Sequence, residues 1–212
     1  MKTQIEKYVD AVKHWPHEGQ HILAHQQDDM IVVYQAYNND IANYAVANQH
    51  FGGTNYSYNR MSWIKPNFLW MMYRCGWATK ENQERVLAIW ITKTDFEDIL
   101  QQAVFSSFNS KQYESHDEWK AELEAKEVRL QWDPDHDPYG NKQTRRAIQI
   151  GMKGAMLENF GKHQVKLIED ITEFVKQQST NVNANSIDKL SVPVETIYKP
   201  ADEGLQKRIG IG

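Results

Sequence analysis

Residues 30–53, MIVVYQAYNNDIANYAVANQHFGG, set the pattern for the whole chain. Met30 to Tyr37 is a run of β-branched and aromatic residues, the composition of a buried strand. Asn38 or Asn39 then offers a side-chain oxygen to the free N–H groups of a helix, and Ile41, Tyr44 and Ala45 give that helix an apolar stripe. Gly52 and Gly53 stop it near Phe51. The unit is a strand feeding directly into a helix.

Downstream, residues 54–63 read as a polar and aromatic loop leading into a short strand. Pro66 suits the first turn of a helix whose apolar face is Phe68, Leu69, Met72 and Tyr73, ending at Gly76. Arg85 to Thr92 (RVLAIWIT) is apolar on both faces, as a central strand must be. Thr94 with Glu97, and Ser115 with Glu118, have the spacing of capping boxes that open two further helices. Val128, Leu130 and Trp132 alternate with polar residues, which predicts a half-buried strand, and a second strand follows at Arg146 to Ile150. A long helix is expected from Gly154 through Leu157, Phe160, Ile168, Ile171 and Val175, then a polar linker over residues 179–186. Leu190 to Tyr198 reads as an edge strand because it contains Pro193. Strand–helix units mixed with a strand pair predict an α+β single domain, residues 1–200, with a mixed central sheet and flanking helices. Residues 201–212 read as a loosely held tail.

The composition narrows the function classes. The chain has 212 residues, a net charge of -4 and a single cysteine, Cys75, so neither an internal disulfide nor a Cys-based zinc cluster can form. The acidic balance gives no general attraction to phosphate backbones. The start, MKTQIEKYVDAV, lacks an apolar signal core, and no stretch approaches ~18 consecutive apolar residues, so a cytoplasmic location and no membrane partner are expected. There is no Gly-rich phosphate loop of Rossmann or P-loop spacing. Cys75 lies in an apolar helical run and reads as a small buried hydrophobe.

Three stretches could carry chemistry. Residues 60–85 hold Arg60, Lys65, Arg74, Lys80 and Arg85 among Trp63, Trp70, Tyr73 and Trp77. Arginine beside aromatic rings can grip a phosphate and stack on a base. The bland alternative is that the rings are core. Asp133, Asp135, Asp137 and Asn141 have the alternation of a cation loop, but Pro134 and Pro138 interrupt it and a tight turn is the favoured reading. Asp133, at a strand end, is a candidate general base or ribose anchor, with Arg145 and Arg146 near enough to pair with it. His17, His21 and His25 recur every four residues, but Pro16 and Gly19 weaken a helix through them, and surface histidines with no metal role are expected.

The string RMSWIKPNFLWMMYRCGWATKENQERVLAI, with VYQAYNNDIANYAV upstream and QWDPDHDPYG and RRAIQIGMKG downstream, resembles the domain-of-unknown-function (DUF) family numbered 4291. The resemblance runs from about Trp15 to Val175 and implies a single domain, without an accepted reaction. At the level of element order the chain is also similar to ADP-ribosyltransferases and RNA 2′-phosphotransferases. That similarity implies Tyr34 or Gln35 on the first strand, Arg60 and Trp63 in the second segment, and Gln149 on the late strand as ligand contacts. The chain departs from those enzymes in having Tyr-Gln-Ala where many have His-x-Thr, and it has no glutamate on the late strand.

The expected function is a transferase acting on a nucleotide or a nucleic-acid end. Gln35, Asp133 and Gln149 would be catalytic, and Tyr34, Arg60, Trp63, Lys65, Arg74 and Arg146 would hold the ligand. NAD enters as a cofactor or substrate only through the second similarity. The competing expectation is a module that binds single-stranded nucleic acid without catalysis.

Overall fold

The computed structural model describes residues 3–211, so Met1, Lys2 and Gly212, which belong to the expected start and tail, lie outside the described residues. The first third of the chain forms β1 (Ile5–Lys7), α1 (Tyr8–Ala11), β2 (Ile22–Ala24), β3 (Gln26–Gln27), β4 (Met30–Tyr37), α2 (Asn39–Asn48) and β5 (Ser62–Ile64). The middle adds α3 (Phe68–Cys75), β6 (Arg85–Thr92), α4 (Lys93–Gln101), β7 (Ala103–Phe105), α5 (His116–Ala125), β8 (Val128–His136) and β9 (Lys142–Met152). After it come α6 (Gly154–Asn159), a π-helical turn (Phe160–Gln164), β10 (Leu167–Asp170), α7 (Thr172–Asn183), β11 (Ser191–Pro193), β12 (Thr196–Tyr198) and α8 (Glu203–Ile209). The fold is α+β and a single domain. No helix among the described residues is long and apolar enough to cross a membrane.

The strands divide between two four-stranded sheets, ordered β10-β6-β4-β3 and β5-β9-β8-β7, with two small pairs, β1-β11 and β12-β2. β4 and β6 pair antiparallel over their full lengths, Met30 opposite Thr92 through Tyr37 opposite Arg85. Their near-continuous apolar sequence follows from burial on both faces. Ile31, Val33, Leu87, Ile89 and Ile91 join a core with α2, α4 and the inner residues of β8 and β9. Val32, Tyr34, Val86, Ala88 and Trp90 pack on the other side against Leu69 and Met72 of α3 and Val175 of α7. The two sheets meet where Tyr34 and Lys65 exchange backbone hydrogen bonds of 2.7 and 3.1 Å. That single bridge forms the seam along which the candidate site lies.

Several elements differ from the sequence reading for identifiable reasons. The long helix expected from Gly154 is broken into α6, the π-helical turn, β10 and α7, because residues 167–170 extend and pair with β6. A strand so short is invisible to periodicity; only its partner stabilises it. The linker expected over 179–186 is largely the last turn of α7, which ends at Asn183. The cap of α4 is Thr92, whose hydroxyl accepts from the Asp95 N–H, two residues before the expected Thr94. Ser115 caps α5 through Glu118 N–H as the spacing predicts. The edge strand expected at 190–198 is two strands, β11 and β12, paired with β1 and β2. His25 is buried rather than on the surface: its Nδ1 lies 2.7 Å from the Val194 carbonyl and its ring meets Trp90 edge-on.

The tail is not loose. Leu205 and Ile209 of α8 are buried in the core, the Ile209 carbonyl accepts from Trp132 Nε1 at 2.7 Å, and the Arg208 guanidinium donates to the Leu100 and Ala103 carbonyls. Two buried apolar residues and hydrogen bonds through the Ile209 carbonyl and the Arg208 guanidinium dock this short helix.

One buried carboxyl anchors α3. Glu195, between β11 and β12, accepts the Phe68 N–H at 2.7 Å and the Asn67 Nδ2 at 3.1 Å. Burial pushes this carboxyl well above the ordinary range, with the Phe68 hydrogen bond opposing the shift. Glu195→Ala leaves both donors buried without an acceptor, and we expect a stability loss of roughly 2–4 kcal/mol in denaturant unfolding. A loss under about 0.5 kcal/mol, the level of an ordinary surface substitution, would show that the carboxyl contributes no anchoring.

Candidate functional site

At the seam of the two sheets lies a cleft of about 630 Å³. β4 contributes Gln35 and Tyr37, β5 contributes Ser62 and Trp63, β8 contributes Gln131 and Asp133, and β9 contributes Gln149. Arg60 precedes β5 and Lys65 follows it, while α3 supplies Trp70, Met71 and Arg74 from one side. Of the nine residues singled out in the sequence, Gln35, Arg60, Trp63, Lys65, Arg74, Asp133 and Gln149 converge here. Tyr34 and Arg146 do not.

Strand alternation explains both exceptions. Side chains i and i+1 point to opposite faces, so if Gln35 faces the cleft, Tyr34 cannot. Tyr34 is fully buried on the α3 side, edge-on to Phe68 at 5.6 Å, and so cannot stack on a ligand. Arg146 is three positions from Gln149, which puts it on the other face, where it lines a separate hollow with Gln20, Phe105 and Ser106. The pairing expected between Asp133 and Arg145 or Arg146 is also corrected: Arg145 reaches Asp135 at 2.6 Å, a buried ion pair. Asp137 makes the expected tight turn, accepting from the Tyr139 and Asn141 N–H groups.

The polar floor of the cleft is two small networks. Asp133 accepts from Gln131 Nε2 and from Gln149 Nε2, both at 2.7 Å, one on each carboxylate oxygen. Gln131 and Gln149 stand directly opposite in the β8–β9 register, so their amides close on the aspartate from adjacent strands. Neither partner is charged, which leaves the carboxylate's charge directed at the cleft. Across the floor, Gln35 Nε2 donates to Ser62 Oγ and the Tyr37 hydroxyl donates to Gln35 Oε1, each at 2.8 Å. Burial raises the Tyr37 hydroxyl well above its ordinary value, so it stays a hydrogen-bond donor. Tyr37, Ser62 and Gln131 were not singled out in the sequence; alternation by two from Gln35 and Asp133 was the available signal for Tyr37 and Gln131, and Ser62 had no such signal.

The cationic side is uncompensated. The Arg60 and Arg74 guanidiniums have no hydrogen-bonded or ion-paired protein partner among the described residues, and both are exposed at the rim. Lys65 is only 5% exposed, and its Nζ donates to the Trp63 carbonyl at 3.1 Å. Burial, helped by the nearby Arg74 charge, pushes this ammonium down to about 7. Trp70 is held by a stack in which its ring lies 5.4 Å from Tyr73 and 5.2 Å from His136. Trp63 lies over Gly151: a Cβ there would come within 2.9 Å of its ring and 2.8 Å of Met61 Sδ. A glycine inside a strand marks such a close approach. Past Tyr37, Arg60, Met61 and Ser62 the cleft continues into a second hollow of about 400 Å³, with Asn38, Asn55 and Asn82 on its walls.

Two outcomes follow from this geometry. The unfolded chain takes up a proton on Lys65 as pH falls from about 10, whereas the folded chain does not until about 7. This lysine therefore costs stability that grows through that window and is complete below it. Lys65→Met should be more stable than the wild type by an amount rising from little near pH 10 to at most about 4–5 kcal/mol at pH 7, measured by urea unfolding. A difference independent of pH would mean Lys65 titrates normally. Gly151→Ala should displace Trp63 and Met61, leave the fold intact by circular dichroism, and weaken any ring-bearing ligand of the cleft about tenfold or more. Unchanged affinity would remove Trp63 from the binding surface.

No match to the chain was found among curated proteins. The sequence model described as "Domain of unknown function (DUF4291)" matches residues 21–198, from β2 through β12 and across every element that lines the cleft. The chain therefore belongs to the DUF4291 family.

Proposed function

We propose that the cleft binds a nucleotide, and that the protein is a transferase acting at the ribose of an NAD-like dinucleotide. The observation that carries this reading is the gathering of two guanidiniums, Arg60 and Arg74, with the Lys65 amine, Trp63 and the single carboxylate Asp133 in one hollow of about 630 Å³. Unpaired guanidiniums suit phosphate oxygens, the half-buried Trp63 ring suits a base, and a carboxylate flanked by two amides suits ribose hydroxyls. The adjoining hollow shares Arg60 with the first, which favours a ligand of two parts joined by phosphates over a mononucleotide.

The chemistry expected there is glycosyl transfer. The bond from ribose C1′ to nicotinamide nitrogen breaks, the acceptor's nucleophile bonds to C1′, and the acceptor's proton is released. The products are ADP-ribosylated acceptor, nicotinamide and H⁺. C1′ becomes cationic in such a transition state, and a carboxylate aimed at it stabilises that charge. Asp133 would fill this role, or take the acceptor's proton, and its hydrogen bonds from Gln131 and Gln149 support the reading by keeping it oriented. The competing reading, a grip on single-stranded nucleic acid, is less favoured, because a chain of net charge -4 brings two unpaired guanidiniums, Arg60 and Arg74, to one nucleotide-sized hollow.

The test is a melting screen with NAD, ADP-ribose, AMP and a short single-stranded RNA. NAD or ADP-ribose should raise the melting temperature of the wild type and not that of Arg60→Ala or Arg74→Ala, each losing roughly 1–3 kcal/mol of binding. Asp133→Asn should retain binding and lose nicotinamide release. No shift with any nucleotide overturns the reading, and binding only to RNA, with affinity that falls steeply with salt, replaces it with the nucleic-acid module.

A further inference from the structure

We propose that Lys65 is an amine nucleophile that forms an imine with the open-chain aldehyde of a phosphorylated sugar held in the cleft. The inference rests on the phosphate-binding reading above and adds to it a covalent step and a substrate class.

A buried lysine ordinarily has a carboxylate partner, because an unpaired ammonium is expensive away from water. Lys65 has no carboxylate within ion-pair distance among the described residues, and its one side-chain hydrogen bond goes to the Trp63 carbonyl. The other charged groups sharing its cleft are Arg60, Arg74 and Asp133. Its backbone is pinned by both hydrogen bonds to Tyr34, so the amine is presented from a fixed point on the seam. A neutral amine can satisfy this arrangement: one N–H goes to the Trp63 carbonyl, and the lone pair stays free. Burial and Arg74 both favour that neutral form near physiological pH, which is how lysines are activated for carbonyl chemistry. Arg60 and Arg74 at the same cleft supply the handle for a phosphate, and Trp63 covers the ligand's planar or ring portion.

The step needs no oxidant or cofactor. The Lys65 nitrogen bonds to the aldehyde carbon, and the carbonyl oxygen leaves as water carrying the two amine protons, giving C=N. Asp133, in the same cleft, can pass a proton from nitrogen to oxygen. The linkage is reversible by hydrolysis and becomes permanent when borohydride adds hydride to the imine carbon.

Pyridoxal 5′-phosphate is a suitable probe, since it joins an aldehyde, a ring and a phosphate. The full chain at about pH 7.5 should develop an imine absorption band. After borohydride, peptide mass mapping should find the adduct on Lys65, at least about tenfold above the exposed Lys13 and Lys176. Lys65→Arg, folded by melting temperature, should take no adduct at the cleft while still binding pyridoxine 5′-phosphate, which lacks the aldehyde. If pyridoxine 5′-phosphate binds the wild type but no adduct reaches Lys65, the nucleophile is overturned and the phosphate-binding reading stands. If free pyridoxal labels Lys65 but neither phosphate ester binds, the amine is supported and the phosphate reading fails. Labelling confined to surface lysines overturns the proposal.

Discussion

Two backbone hydrogen bonds between Tyr34 and Lys65 join the sheets, and the rest of the site is a consequence of where they fall. β4 lies inside one sheet and β5 lies at the edge of the other, so their bridge creates a corner rather than a continuous surface. Lys65 sits at that corner with its backbone committed and its side chain enclosed. The enclosure is unfavourable to its charge, and the apolar clusters on both faces of the β4–β6 sheet provide the stability that tolerates it.

Several walls of this corner are held in place by fixed contacts. Glu195 fixes the start of α3, and the Trp70–Tyr73–His136 stack fixes the helix against β8. Gln131 and Gln149 hold Asp133 from adjacent strands, and Gly151 lets Trp63 lie close to β9. Among the described residues, the cleft donors without protein partners include the Arg60 and Arg74 guanidiniums at the rim and the buried Trp70 Nε1. Fixed acceptors and rings beside unpartnered donors are the arrangement that the phosphate-binding proposal rests on.

Much of this was legible in the residues. The β4 and β6 strands follow from their apolar runs, and the basic–aromatic stretch led to the cleft because its five cations outnumber its two carboxylates, Glu81 and Glu84. Strand parity was legible too, and it rules out pairing Tyr34 with Gln35 or Arg146 with Gln149 on one face. What could not be read was long-range pairing. β10 is four residues that extend only because β6 offers a free edge, and α8 forms where Trp132 and two carbonyls of the α4–β7 corner await it. The depth of Lys65 likewise depends on a partner 31 positions away in the chain, and no local pattern encodes it.

The docking of α8 bears on how the protein is handled at the bench. Trp132 and Asp133 are adjacent on β8, one held by the Ile209 carbonyl behind the sheet and the other facing the cleft in front. Trimming the C-terminus to obtain a shorter clone, or crowding it with a fused affinity handle, would disturb the brace behind the aspartate without touching the ligand side. A preparation of that kind that bound nothing would report on its engineered end rather than on the cleft.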